Sequence, residues 1–240
     1  MKTSELTIVL LPGLNGTTGL FDPLIKASNG ECKILPISYP THTPKSYGAL
    51  TELVEQKLYS IEGNYVLIGE SFSGPISIML TAKNLRGHIG TILVATFCTA
   101  PNIRIVKHLP WTFGFYVSKP FYSLISKCGG SKSSPSLRSI AIEMNKVCPR
   151  VLASRMKSIF SIQAENLLGS CTLPMAYFRG DFDFFVPKRN MEKVVVINSK
   201  VAVFNFRTRH FILQSVPYDA WEAILRFSKK CIQEIINQQE

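Results

Sequence analysis

Six short apolar runs, at residues 6–11, 33–38, 64–69, 90–95, 174–179 and 201–206, stand out against the more polar stretches of the chain. They carry the β-branched residues that a buried sheet prefers, and such runs separated by helical segments predict strands of a parallel sheet. Between them apolar residues recur at helical spacing. Leu50, Leu53, Val54, Leu58 and Ile61 do so early in the chain, and Trp221, Ile224, Leu225, Cys231, Ile232, Ile235 and Ile236 near its end. The pattern predicts an α/β protein: a mostly parallel sheet of about six strands with helices on both faces.

One interval breaks this rhythm. Residues 101–171 are too many for a simple crossover between neighbouring strands. Phe113, Phe115, Tyr116, Phe121, Tyr122, Leu124 and Ile125 give the stretch an apolar surface, Gly129-Gly130-Ser131 interrupts it, and helical periodicity resumes over 137–147 and 151–168. The expected organisation is a core of residues 1–100 and 172–240 with a helical insertion over 101–171. With 240 residues, 46% of them hydrophobic, the chain is long enough to bury one such core.

The strand at 64–69 runs into Gly69-Glu70-Ser71-Phe72-Ser73-Gly74 and then into a helical segment. A serine on a tight strand-to-helix turn projects its hydroxyl clear of the sheet, and the N–H of the next residue, Phe72, points at whatever that hydroxyl attacks. The usual pattern has glycine two places after the serine, where this chain has Ser73. Ser71 could also do no more than cap the helix. A serine nucleophile needs a histidine to take its proton and a carboxylate to orient that histidine. The strand at 174–179 leads into Gly180-Asp181-Phe182-Asp183, and the strand at 201–206 into Arg207-Thr208-Arg209-His210. The 27 residues from Asp183 to His210 hold one helix and one strand, enough to return the chain to the same edge of a parallel sheet. His42, His88 and His108 are the other histidines, and none follows a strand downstream of the acid. Upstream, the strand at 6–11 is followed by Pro12-Gly13-Leu14-Asn15-Gly16, a glycine-rich turn suited to presenting backbone N–H groups.

With these four elements the chain resembles the α/β-hydrolases over nearly its whole length outside 101–171. The resemblance implies Ser71 as nucleophile, His210 as general base and Asp183 as its orienting acid. It also implies an oxyanion hole from the N–H groups of Leu14 and Phe72, and a lid over 101–171. Asp181 competes with Asp183, which is preferred because Gly180, Asp183, Val186 and Pro187 fit the family pattern Gly-x-x-Asp-x-x-Val-Pro. Members of the family often have His-Gly where this chain has Pro12-Gly13.

Charge adds a second clue. Ten basic and two acidic side chains fall within 101–171, so this stretch supplies +8 of the chain's net +11. A lid this basic favours an anionic substrate or carrier. Acyl carrier protein, a phosphopantetheine thioester, a membrane surface and nucleic acid have the right charge, and a merely solvated face is the alternative. The glycine-rich segment, short sheet and basic lid are similar to small bacterial esterases of the BioH type, which cleave the methyl ester of pimeloyl-acyl carrier protein in biotin synthesis. That similarity implies a short or medium acyl ester as substrate, with Arg138, Arg150, Arg155 and Lys157 as a docking face for an acidic acyl carrier protein. Nucleic acid is not the expected partner. The motifs are specific for the hydrolase fold and not for that substrate, so a thioesterase, an acyltransferase or a non-catalytic binding protein of the same fold stay open.

The six cysteines form no Cys-x-x-Cys pair, which argues against a metal or dithiol site. No phosphate loop or dinucleotide fingerprint is present, and no cofactor is expected. The N-terminal apolar run is six residues long with no small-residue cleavage site, and no stretch approaches the roughly 18 apolar residues of a membrane helix. A soluble, cytoplasmic protein is the expectation.

Overall fold

Why the six apolar runs tolerate so few polar positions is plain from what covers them. The computed structural model describes residues 6–100, 114–115 and 135–239. Six strands, β1 Leu6–Leu11, β2 Lys33–Pro36, β3 Asn64–Glu70, β4 His88–Val94, β5 Met175–Gly180 and β6 Ala202–Phe206, form one sheet in the order β2-β1-β3-β4-β5-β6. All five pairings are parallel. The expected runs thus lie within one or two residues of the observed strands, and a mostly parallel sheet is here wholly parallel.

Alternate residues of each strand feed two cores. Val9, Leu11, Tyr65, Leu67, Met175 and Tyr177 face the helices Tyr47–Leu58, Gly74–Ala82 and Lys188–Ile197. Ile8, Leu10, Val66, Ile68, Ala176 and Phe178 face the helices Asp22–Ala27 and Pro217–Gln239. The central strands are therefore buried on both sides, and each fully buried Leu or Ile contributes about 1.5–3 kcal/mol of transfer free energy. Because the strands are parallel, their C-terminal ends share one edge, and the loops after Leu11, Glu70, Val94, Gly180 and Phe206 converge there.

Part of the 101–171 stretch is described, and it is helical: Pro135–Asn145, Pro149–Ser161 and Glu165–Ser170. The expected single helix over 151–168 is instead two. The break falls where Gln163 bridges Thr99 and the Ala164 N–H donates to the Cys98 carbonyl at 2.9 Å, so the insertion is tied back to the chain leaving β4. Leu168 then enters the main core, against the helix Gly74–Ala82. Phe115 packs beside Val147, Val151 and Leu152. The other aromatic residues expected to line the lid lie outside the described residues, as do Arg104, Lys107, Lys119, Lys127 and Lys132.

Cys32, Cys98, Cys171 and Cys231 are buried without disulfide bonds. Burial pushes the Cys171 thiol up to about 11 and the Cys231 thiol up to about 12, which keeps both protonated and inert. Among the described residues no helix is long and apolar enough to cross a membrane.

Candidate active site

Ser71 sits where β3 ends, at the first position of a single 3-10 turn, Ser71–Ser73, that leads into the helix Gly74–Ala82. Its φ is +51°, a left-handed conformation that L-residues rarely adopt and that a sharp strand-to-helix turn demands. One contact from a neighbouring strand end holds the turn in place. The Thr96 hydroxyl, from the end of β4, donates to the Ser71 carbonyl. Gly74 leaves room for that threonine, since a Cβ there would lie 2.0 Å from Thr96 Oγ1.

His210 and Asp183 reach Ser71 from the loops after β6 and β5. His210 Nε2 lies 3.0 Å from Ser71 Oγ, and His210 Nδ1 lies 2.8 Å from Asp183 Oδ2. The second carboxylate oxygen, Oδ1, accepts from the N–H groups of Phe185 and Val186, both at 2.9 Å. The Asp183 side chain is only 2% exposed, so its hydrogen bonds fix it as one rigid acceptor for the imidazole. Asp181 turns outward and pairs with Arg179 at 2.9 Å. Phe185 and Phe211 close on His210 edge-on, with ring centroids 5.3 and 5.4 Å away. His42 is exposed on its loop, His88 lies at the opposite end of the sheet, and His108 lies outside the described residues.

The glycine-rich loop after β1 lies against the serine: a Cβ built on Gly13 would stand 3.8 Å from Ser71 Cβ. Gly16 N–H donates to the Gly13 carbonyl at 3.0 Å, closing a turn with Leu14 and Asn15 at its centre. In a trans peptide the N–H opposes the preceding carbonyl, so the Leu14 N–H points out of that turn. Phe72, fully buried, stacks on Tyr47 with centroids 4.7 Å apart. Phe211 also lines a cavity of about 410 Å³ with Leu20, Pro23, Ile140 and Gln214.

No protein-family profile and no curated protein matches this sequence. Solved structures do match in three dimensions. A lipase-esterase related protein from Clostridium acetobutylicum is similar at a TM-score of 0.76 and 17% identity, over 95% of this chain and 96% of that one. A structure from a study of carboxylesterases of Nitrososphaera gargenis is similar at 0.78 and 13% identity, over 95% and 92%. MenH from S. aureus is similar at 0.69 and 12% identity, over 95% of each chain. This chain has the α/β-hydrolase fold.

Within that fold, several residues around the serine were not legible from spacing. Ser73, in the usual glycine position, donates its hydroxyl to the Pro12 carbonyl and accepts from Tyr39 Oη at 2.6 Å. Glu70, just before the serine, is buried and takes a hydrogen bond from Gln214 Nε2 at 3.3 Å. Burial pushes its carboxyl above the usual range, countered in part by that bond and by His210.

Arg155 overturns an expectation. Of the four lid residues proposed as a docking face, Arg138, Arg150 and Lys157 are exposed, but Arg155 is only 2% exposed and cannot meet a partner at the surface. It points inward, to the carbonyls of Leu14 at 2.9 Å, Asn15 at 2.7 Å and Pro40 at 2.9 Å. The helix itself carried the signal. Val151, Leu152, Arg155 and Ile159 share one face, and that face is buried.

Proposed function

We propose that the protein is a serine hydrolase that cleaves a carboxylic ester through an acyl-enzyme. The observation that carries this reading is the continuous chain from Ser71 Oγ to His210 to Asp183, at 3.0 and 2.8 Å, on a serine held at positive φ. In this reading Ser71 Oγ attacks the ester carbonyl carbon while His210 Nε2 takes the hydroxyl proton. The oxygen that becomes negative accepts from the N–H groups of Phe72 and Leu14. As the tetrahedral intermediate collapses, the bond to the alkoxy oxygen breaks and His210 returns the proton to the departing alcohol. Water, deprotonated by the same histidine, then attacks the acyl carbon, and His210 passes that proton to Ser71 Oγ as the acyl–oxygen bond breaks and the acid leaves. Asp183 holds the tautomer that leaves Nε2 free to accept.

A short or medium acyl group is the proposed substrate, as the resemblance to small esterases implies. The methyl ester of pimeloyl-acyl carrier protein is one such substrate, with Arg138, Arg150 and Lys157 as the face that an acidic carrier would meet. A fluorophosphonate that labels the wild type and not Ser71→Ala tests the nucleophile. A panel of p-nitrophenyl esters, acyl-CoA thioesters and carrier-bound methyl esters tests the leaving group. Fluorophosphonate labelling that survives in Ser71→Ala would remove the reading, and a preference for thioesters would move it to a thioesterase.

A further inference from the structure

Arg155 is the one guanidinium among the described residues with its charge sunk in the protein, and its three recorded partners are neutral carbonyls of two loops. An ionic group in such surroundings is held only where its donors are satisfied. Burial lowers its pKa to about 10, so it stays charged at neutral pH. The surrounding chain is shaped to admit it. Gly16, at φ +69°, passes so close that a Cβ would meet Arg155 Nη1 at 2.3 Å, and the guanidinium carbon lies 5.7 Å from the Tyr39 ring centroid.

What Arg155 grips is the turn that carries Leu14. The Leu14 N–H belongs to the Gly13–Leu14 peptide, whose carbonyl is held by the Gly16 N–H, and the next two carbonyls of the turn are those of Leu14 and Asn15. Arg155 Nη1 bonds both of those carbonyls, which fixes the position of the turn that carries the Leu14 N–H. The other side of the loop is held by Ser73, which bonds the Pro12 carbonyl and is itself held by Tyr39. The two departures from the family pattern, Pro12 and Ser73, therefore meet in one hydrogen bond.

We propose that Arg155 is a positioning residue. By anchoring the 13–16 turn to the inserted helix Pro149–Ser161, it keeps the loop, and with it the Leu14 N–H on the Gly13–Leu14 peptide, in place beside Ser71, with Ser73 and Tyr39 bracing the same loop through the Pro12 carbonyl. The proposal rests on the serine-hydrolase reading and adds the residue that holds half of its oxyanion hole.

The test is steady-state hydrolysis of a small neutral p-nitrophenyl ester by the full chain, together with fluorophosphonate labelling. Deleting an oxyanion donor outright costs about 10²–10³ in kcat. Arg155→Ala displaces a donor and does not delete it, so kcat should fall by roughly 10- to 100-fold with KM within about threefold, because the donor acts on the transition state. Guanidinium added well below denaturing concentration should restore part of the loss in Arg155→Ala and do nothing for Ser71→Ala. Arg155→Lys, which keeps a charge and cannot span three carbonyls, should fall between. If Arg155→Ala does not fold, Arg155→Lys decides alone. A kcat within about twofold of wild type, or a loss confined to KM, overturns the proposal and leaves the hydrolase reading standing. A wild type that neither hydrolyses the esters nor labels at Ser71 overturns the hydrolase reading, and the positioning role with it.

Discussion

Two histidines sit at opposite ends of the sheet, and burial does not tell them apart. His210 is 7% exposed and His88 is 4% exposed. At the C-terminal edge His210 has a carboxylate on one ring nitrogen and a serine hydroxyl on the other, at 2.8 and 3.0 Å. His88 begins β4, at the other end, with Nε2 2.9 Å from Thr91 Oγ1, its ring stacked on Tyr65, and no hydrogen-bond partner on Nδ1 among the described residues. Desolvation lowers the pKa of His88 to about 4, so the imidazole stays neutral and serves packing. What separates the histidine proposed as general base from the core residue is the pair of partners and the sheet end that supplies them. In a parallel sheet the C-terminal end gathers loops from every strand, and His210, after β6, draws its two partners from the loops after β3 and β5.

The contrast can be broken most sharply by mutating both histidines. His210→Ala should lower kcat on the order of 10⁶, and adding Ser71→Ala should cost almost nothing more, because triad members act as a unit. His88→Gln should leave kcat within about threefold and lower the thermal midpoint, since it disturbs a buried stack in the core. Equal losses of activity in the two variants would erase the distinction.

The acid gives the next largest effect. Asp183→Asn should lower kcat by about 10⁴ by favouring the wrong imidazole tautomer. Asp181→Asn, which loses only an exposed pair with Arg179, should change it less than about threefold. The reverse order, read from initial rates, would move the orienting role to Asp181.

At the other end of the sheet the readout is stability against pH. Burial holds the folded-state pKa of His88 at about 4, against about 6.5 for a free imidazole, so between those values the unfolded chain binds more protons than the folded one. Stability contributed by the neutral ring is complete above about pH 6.5 and is lost as pH falls toward 4, by about 3 kcal/mol in all. Urea titrations from pH 7 to pH 4 should show this slope in the wild type and a flatter one in His88→Gln. An unchanged slope would mean that carboxylates alone govern acid unfolding.

The smallest effect concerns the exposed face of the insertion. Reversing Arg138, Arg150 and Lys157 to glutamate should raise KM for a carrier-bound ester by roughly tenfold through slower association, and leave a small neutral ester unaffected. The wild-type rate on the carrier substrate should also fall with salt, since steering is screened beyond a Debye length of about 8 Å at 0.15 M. Equal effects on both substrates would reduce that face to a solvated surface.

The amino-acid sequence determined the local and periodic features of this protein. Apolar runs marked the strands, helical spacing marked the covering helices, and Gly-x-Ser after one strand and Asp183 and His210 after two later ones pointed to residues that the structure brings together. Each of these is written within a few residues of itself, or in the order of elements along a parallel sheet. The tertiary structure alone decided the contacts between distant segments. Ser73 meets Pro12 across 61 positions and Arg155 meets Leu14 across 141. No periodicity records such pairs, and net charge counted Arg155 with its exposed neighbours. Which side of a helix faces the core depends on what packs against it, and for Arg155 that was a loop of bare carbonyls beside the serine.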